Sequence, residues 1–148
     1  MNSDLFSPFK IIDTTADIGL IAFGTSLMAL FENAGKGLFS LIADLNRVEP
    51  RFTYPVHSKA SGLKVQDPEG LLVEWLNELI YIHQTRNVLG KICHLTSIEL
   101  ELRGYFLGEP IDWSKHELKF DIKAATFHRL YIKKTASSLY EGQVIFDI

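Results

Sequence analysis

The sequence predicts an α+β fold: two amphipathic helices packed on a mostly antiparallel sheet, in a single domain over residues 1–148. Three observations point there. Residues 27–42 and 68–83 set apolar side chains three and four apart, so each draws one apolar stripe. Residues 97–103 and 118–124 alternate apolar with charged side chains, the signature of half-exposed antiparallel strands. Glycine, proline and Asp/Asn punctuation falls between such segments.

In chain order, Phe9-Lys10-Ile11-Ile12 reads as a first strand, followed by a polar turn over 13–17 and a second, almost wholly apolar strand over 18–23. Gly24-Thr25-Ser26 breaks that strand, and Thr25 or Ser26 offers a hydroxyl cap to the first free N–H groups of a helix. The helix carries Leu27, Leu30, Phe31, Ala34, Leu38, Leu41 and Ile42 on one stripe. Gly35 and Gly37 weaken it and suggest close approach to a sheet. Asp44-Leu45-Asn46 ends it. Residues 48–55 read as a polar connection and 55–65 as a weakly patterned strand. Asp67-Pro68-Glu69 is a helix start, with Asp as cap and Pro in the first turn. The helix that follows places Leu71, Leu72, Trp75, Leu76, Leu79 and Ile80 on one face and runs to about His83. Beyond Asn87 the chain reads as β: strands at 97–103, 118–124, 129–133 and 143–148, with turns at Gly104 and Gly108-Glu109-Pro110.

Composition narrows the function classes. A net charge of −3 lacks the basic excess of a dedicated nucleic-acid surface. The one cysteine, Cys93, excludes an internal disulfide and a cysteine metal cluster; it reads as a small apolar strand residue in a reducing compartment. No apolar run approaches the ~20 residues of a membrane span. Met1-Asn2-Ser3-Asp4 lacks the basic flank of a signal peptide, so a soluble cytoplasmic protein is expected.

The chemistry concentrates in Asp13-Thr14-Thr15-Ala16-Asp17-Ile18-Gly19, which packs two carboxylates and two hydroxyls between apolar runs. Such a stretch is either a β-turn closed by its own Asp and Thr side chains or a set of groups aimed at a ligand. The far end of the chain offers a match. Phe146-Asp147-Ile148 sets an Asp beside the α-carboxylate of Ile148. If the last strand lies beside Asp17, up to three carboxylates converge. Like charges that close need a compensating cation: Arg or Lys, or a hard divalent ion with oxygen ligands, Ca²⁺ or Mg²⁺. Lys123, in Ile122-Lys123-Ala124-Ala125-Thr126-Phe127-His128, is a candidate for that balance, and a solvated strand lysine is its plainer reading. No nucleophile elbow, phosphate loop, dinucleotide fingerprint or zinc motif is present, and His57, His83, His94, His116 and His128 show no His-x-x-x-His spacing.

Four blocks together resemble the archease family: Asp13 to Gly19, the Leu71-Leu72 to Leu79 helix, the stretch from Lys115-His116-Glu117 to His128, and the terminal Phe146-Asp147-Ile148. Their order and spacing cover nearly the whole chain. The resemblance implies a compact α+β unit in which one strand–helix–strand–strand element is inserted into another. It implies an activator rather than an enzyme. The partner would be an RtcB-type RNA ligase, which joins RNA ends in tRNA splicing using GTP and Mn²⁺ through a guanylylated histidine. The activator promotes that guanylylation and so permits repeated turnover, meeting tRNA only through the ligase. The family's metal site, usually read as Ca²⁺, falls on Asp17, Asp147 and Ile148, with the backbone carbonyl or terminal carboxylate of Ile148 as its oxygen source. Where the family motif generally has His, this chain has Thr14, and a hydroxyl cannot replace an imidazole as proton carrier. Two other function classes are compatible with the residues: a general chaperone for RNA-modifying enzymes, and a metal-dependent phosphohydrolase with His128 or Lys123 as its base.

Overall fold

The structure is a computed structural model that describes residues 7–58, 67–99 and 101–148. Its chain order is β1 (Phe9–Asp13), β2 (Ile18–Gly24), α1 (Leu27–Ile42), a single 3-10 turn (Leu45–Arg47), β3 (Phe52–Ser58), α2 (Pro68–Arg86), β4 (Val88–Ser97), β5 (Leu102–Pro110), β6 (Ala124–Ala125), β7 (Tyr131–Lys134) and β8 (Tyr140–Asp147). The strands form two antiparallel sheets. One runs β1-β2-β8-β6, with β7 also paired to β8; the other runs β3-β5-β4. The unit β3-α2-β4-β5 is thus a strand–helix–strand–strand element set between α1 and the strands that complete the first sheet.

Each helix is started by the residue its sequence offers. Ser26 Oγ accepts from Ala29 N at 3.1 Å, and Asp67 Oδ1 accepts from Gly70 N at 3.2 Å. Ser26→Ala is expected to cost about 1 kcal/mol, read as a lowered urea midpoint with an unchanged slope. Helix α2 runs one turn beyond His83 and stops where Asn87 adopts a left-handed φ of 53°, its N–H donating to His83 O. The apolar stripes of both helices face one core. Leu30, Phe31, Leu38, Leu71, Leu72, Trp75, Leu76 and Leu79 are fully enclosed. Trp75 is a core filler whose Nε1–H finds Phe31 O at 2.8 Å, so the indole ties the helices together without an unpaired donor. Cys93 is buried in β4. The helical glycines do permit close approach: a Cβ on Gly35 would stand 2.8 Å from Cys93 Sγ, and one on Gly37 2.9 Å from Leu20 Cδ2.

Four sequence expectations need correction. Residues 97–103 are not a strand. Ser97 ends β4 and pairs with Arg103 at the start of β5, so the expected single strand is split between two strands with Ile98, Glu99 and Glu101 in their connection. Ile98 and Leu102 tuck inward from its two sides while Glu99 faces solvent, which imitates alternation. Gly104 and Gly108 are not turns but interior positions of β5. A Cβ there would fall 2.3 Å from His94 O and 1.8 Å from Leu89 O, so they mark the close crossing of β4 rather than a reversal. Residues 52–55 belong to β3 rather than to a connection; β3 is an edge strand, where Pro55 needs no ladder donor. The rest of the 55–65 expectation, residues 59–65, lies outside the described residues. Finally, 118–123 is extended without being a strand. Leu118 bridges Ala43, and the Lys119 and Phe120 N–H groups donate to Ile42 O and Leu41 O, the free carbonyls at the end of α1. Its burial still alternates, so the pattern reported exposure correctly and pairing incorrectly.

That extended run is fastened at both ends. Upstream, Glu109 is almost wholly buried and accepts from Glu49 N at 2.8 Å, Lys115 Nζ at 2.7 Å and His116 Nε2 at 3.0 Å. His116 is buried too. Its Nδ1 accepts from Asp112 N at 2.9 Å while Nε2 faces two acceptors, Glu109 and Arg47 O, so the proton of a neutral ring sits on Nε2. Downstream, α2 reaches across. Gln84 Nε2 donates to Ile122 O at 3.0 Å, and the Asn77 amide both donates to Ala125 O at 3.3 Å and accepts from Ala125 N at 2.8 Å.

Candidate metal centre

The turn before β2 is closed by Thr14. Its hydroxyl accepts from Asp17 N at 3.0 Å and from Ala16 N at 3.3 Å, and its own N–H donates to Asp17 O at 3.0 Å. The local-turn reading of this stretch therefore holds for the backbone. It does not account for the Asp17 carboxylate, which accepts no hydrogen bond among the described residues. That carboxylate is one-fifth exposed and faces His128 Nε2 and Arg129 Nη1, each at 3.9 Å. Those separations are too long for hydrogen bonds, so Arg129 acts on Asp17 through charge alone.

In the β2–β8 ladder Ile18 lies opposite Phe146. The next residues outward are Asp17 on one strand and Asp147 on the other. The two ends of the chain that charge reasoning paired therefore lie side by side. Asp147 is also opposite Ala124 on β6, and its carbonyl accepts from Lys123 N at 2.8 Å. Asp147 and Ile148 are both exposed. Thr126 fixes the third wall. Its N–H and hydroxyl both donate to Ile145 O, at 3.1 and 2.8 Å, and its hydroxyl oxygen accepts from His128 N at 3.2 Å. Arg129 then turns through a left-handed φ of 55°, with its carbonyl accepting from Gln143 Nε2 at 2.9 Å. This turn carries His128 and Arg129 toward Asp17.

His128, which the sequence offered only as a candidate base, stands beside Asp17. Lys123 is brought to Asp147 through its backbone, and among the described residues its ammonium makes no ion pair. Arg129 was missed. Its only signal was position, directly after His128, and it was read instead as the start of a strand. Among the described residues no group of three or more His, Cys, Asp or Glu side chains is arranged to hold a metal ion. A site here would rest on Asp17, Asp147 and further oxygens such as those of Ile148. That all-oxygen chemistry suits a hard cation.

A two-sheet α+β protein of nested strand–helix–strand–strand units, with its acidic turn beside its last strand, is the class these features define. Residues 9–148 match the model of the Archease protein family. The chain is 34% identical over 140 residues to a Thermococcus gammatolerans protein named archease, covering 90% of this chain and 94% of that one. It is 33% identical over 144 residues to the archease of Methanothermobacter thermautotrophicus, covering 95% and 98%. The solution structure of Methanobacterium thermoautotrophicum protein 1598 superposes with a TM-score of 0.71 at 32% identity, over 96% of this chain and 99% of that one. A Thermotoga maritima crystal structure, described as an archease and "possible chaperone", shares the fold with a TM-score of 0.62 at 21% identity, over 94% and 96%. The chain belongs to the archease family. No helix among its described residues is long and apolar enough to cross a membrane.

Proposed function

We propose that this protein is a non-enzymatic, metal-binding activator of an RtcB-type RNA ligase, promoting GTP-dependent guanylylation and repeated turnover in tRNA splicing. One observation carries the reading: the β2–β8 register sets Asp17 beside Asp147, and among the described residues no donor reaches the Asp17 carboxylate. Asp17, Asp147 and an Ile148 oxygen would hold the ion, with Ca²⁺ the expected occupant. Arg129 puts positive charge near the same carboxylate, part of the compensation that like charges require. A divalent ion held by Asp17, Asp147 and an Ile148 oxygen would supply positive charge at this sheet edge. The chain's own part is to present those carboxylates on a fixed sheet edge, where they can reach a partner's nucleotide site without reorganising.

The test is RNA ligation at limiting ligase with GTP and Mn²⁺. Many turnovers are expected with the native protein, and about one per ligase with Asp17→Ala or Asp147→Ala, each checked for folding. Equal stimulation by all three proteins would discard the site, and no stimulation by any would discard the partner. Ca²⁺ at a hundred times its Kd should stabilise the native fold by about 2.7 kcal/mol. The Asp17→Asn variant should show no such shift on thermal denaturation.

A further inference from the structure

A second concave site lies at the end of α1. Its cavity, about 540 Å³, is walled by the 3-10 turn and by residues 113–119. That volume accommodates a small ligand. Trp113 stands on its rim with 73% of its surface exposed, the most exposed large apolar side chain among the described residues. Arg47 Nη1 donates to Lys115 O at 3.5 Å and Lys119 Nζ donates to Ser40 O at 3.0 Å. Both cations therefore rest on neutral carbonyls, and among the described residues neither forms an ion pair with a carboxylate. Two carboxylates also line the wall, Glu117 and Asp44, the second oriented by the Asn46 N–H at 3.0 Å. The third wall cation, Lys115, is held by Glu109.

We infer that this cavity binds a nucleoside 5′-phosphate unit, its base stacked on Trp113 and its phosphate held by Arg47 and Lys119. An exposed indole beside unpaired cations is the combination that recognises a base with its phosphate. The balance of charge selects one unit rather than a polyanion. Arg47 and Lys119 can grip a single phosphate, while the wall carboxylates Asp44 and Glu117 cancel any net positive charge and leave no extended basic track. The walls are preorganised. Lys119 N is bonded to Ile42 O at 2.8 Å, Leu118 bridges Ala43, and the buried His116 anchors the 112–116 turn from below. The site also lies at the Asp147 end of the molecule. Lys119 is four residues from Lys123, whose N–H meets Asp147 O, and four residues span at most ~14 Å. The assignment does not depend on the ligase reading.

Tryptophan fluorescence tests it directly. The other tryptophan, Trp75, is fully buried, so quenching by an added base reports Trp113. The probes are GMP, guanosine, inorganic phosphate and a 5′-phosphorylated pentaribonucleotide. Saturable quenching by GMP or the pentanucleotide is expected. Guanosine, and inorganic phosphate followed by calorimetry, should bind at least tenfold more weakly. An Arg47→Ala/Lys119→Ala variant with native circular dichroism should raise the Kd at least tenfold. Asp17→Ala should leave it unchanged, which separates this site from the carboxylates. Tighter binding of GMP would mark a free nucleotide as the ligand, and tighter binding of the pentanucleotide an RNA end; either supports the assignment. No saturable quenching by either, equal affinity for inorganic phosphate, or native affinity in the double variant would overturn it.

Discussion

Replacing Glu109 with alanine is expected to destabilise the fold by about 3–5 kcal/mol, read from urea midpoints. The carboxylate is buried with three donors on it: the Glu49 N–H, the Lys115 ammonium and His116 Nε2–H. Alanine leaves an N–H and an imidazole N–H without this acceptor inside the protein, and leaves Lys115 without its counter-charge. Glu109→Gln keeps an acceptor for the Glu49 N–H but not the charge, so it should fall between the two. The same network gives acid sensitivity of defined sign. Burial pushes the Glu109 carboxyl up, but hydrogen bonds from Lys115, Glu49 N and His116, with the Lys115 charge, outweigh it and hold the group below its ordinary value of 4.5. A depressed folded value means that Glu109 stabilises the native state fully above that ordinary value. The contribution fades as pH falls below it, through the folded value. Stability curves of the native and Glu109→Gln proteins should therefore converge on the acid side of pH ~4.5 and separate above it.

Asn77→Ala is expected to cost about 2–4 kcal/mol, because both backbone groups of the buried Ala125 lose their side-chain partner. Asn77→Asp retains the acceptor for Ala125 N but sets a carboxylate oxygen against Ala125 O, so it should recover less than half of that loss. The effect reaches beyond stability. Ala125 and Ala124 are the residues of β6 that pair with Phe146 and Asp147. Loosening β6 frees the outer side of the Asp147 strand, and amide exchange at Lys123, Ala125 and Thr126 should accelerate. A stability loss without faster exchange at those amides would show that Asn77 does not hold this edge.

Much of this arrangement was legible in the residues. Both helices follow from stripes closed by Ser26 and Asp67, since helical periodicity and caps are local properties. The grouping of Asp17 with Asp147 followed from charge alone, and the β2–β8 ladder supplies the adjacency that charge reasoning required. What failed was non-local. Alternation over 97–103 and 118–124 records which side chains are buried, but not whether the backbone meets a neighbouring strand, a helix end or its own hairpin. Gly104 and Gly108 look like turn residues because the strand that crosses them is nine or more positions away. Arg129 escaped notice because its approach to Asp17 depends on a left-handed backbone at a non-glycine residue, which composition does not announce. Glu109 likewise reads as one polar residue of a turn until Glu49, Lys115 and His116 are seen to converge on it.

The position of β8 has a temporal meaning. It lies inside its sheet, between β2 on one side and β6 and β7 on the other, yet it is the last strand of the chain. During synthesis β1, β2 and α1 emerge early, but β2 has no inner neighbour until residues 140–147 have left the ribosome. The β3-α2-β4-β5 unit, whose pairings are comparatively local, can form before that moment. The first sheet cannot, and the slow step of folding should be the insertion of β8 across more than a hundred residues of loop. Asp17 and Asp147 therefore meet only once β8 has inserted beside β2, which makes their juxtaposition a mark of the completed sheet.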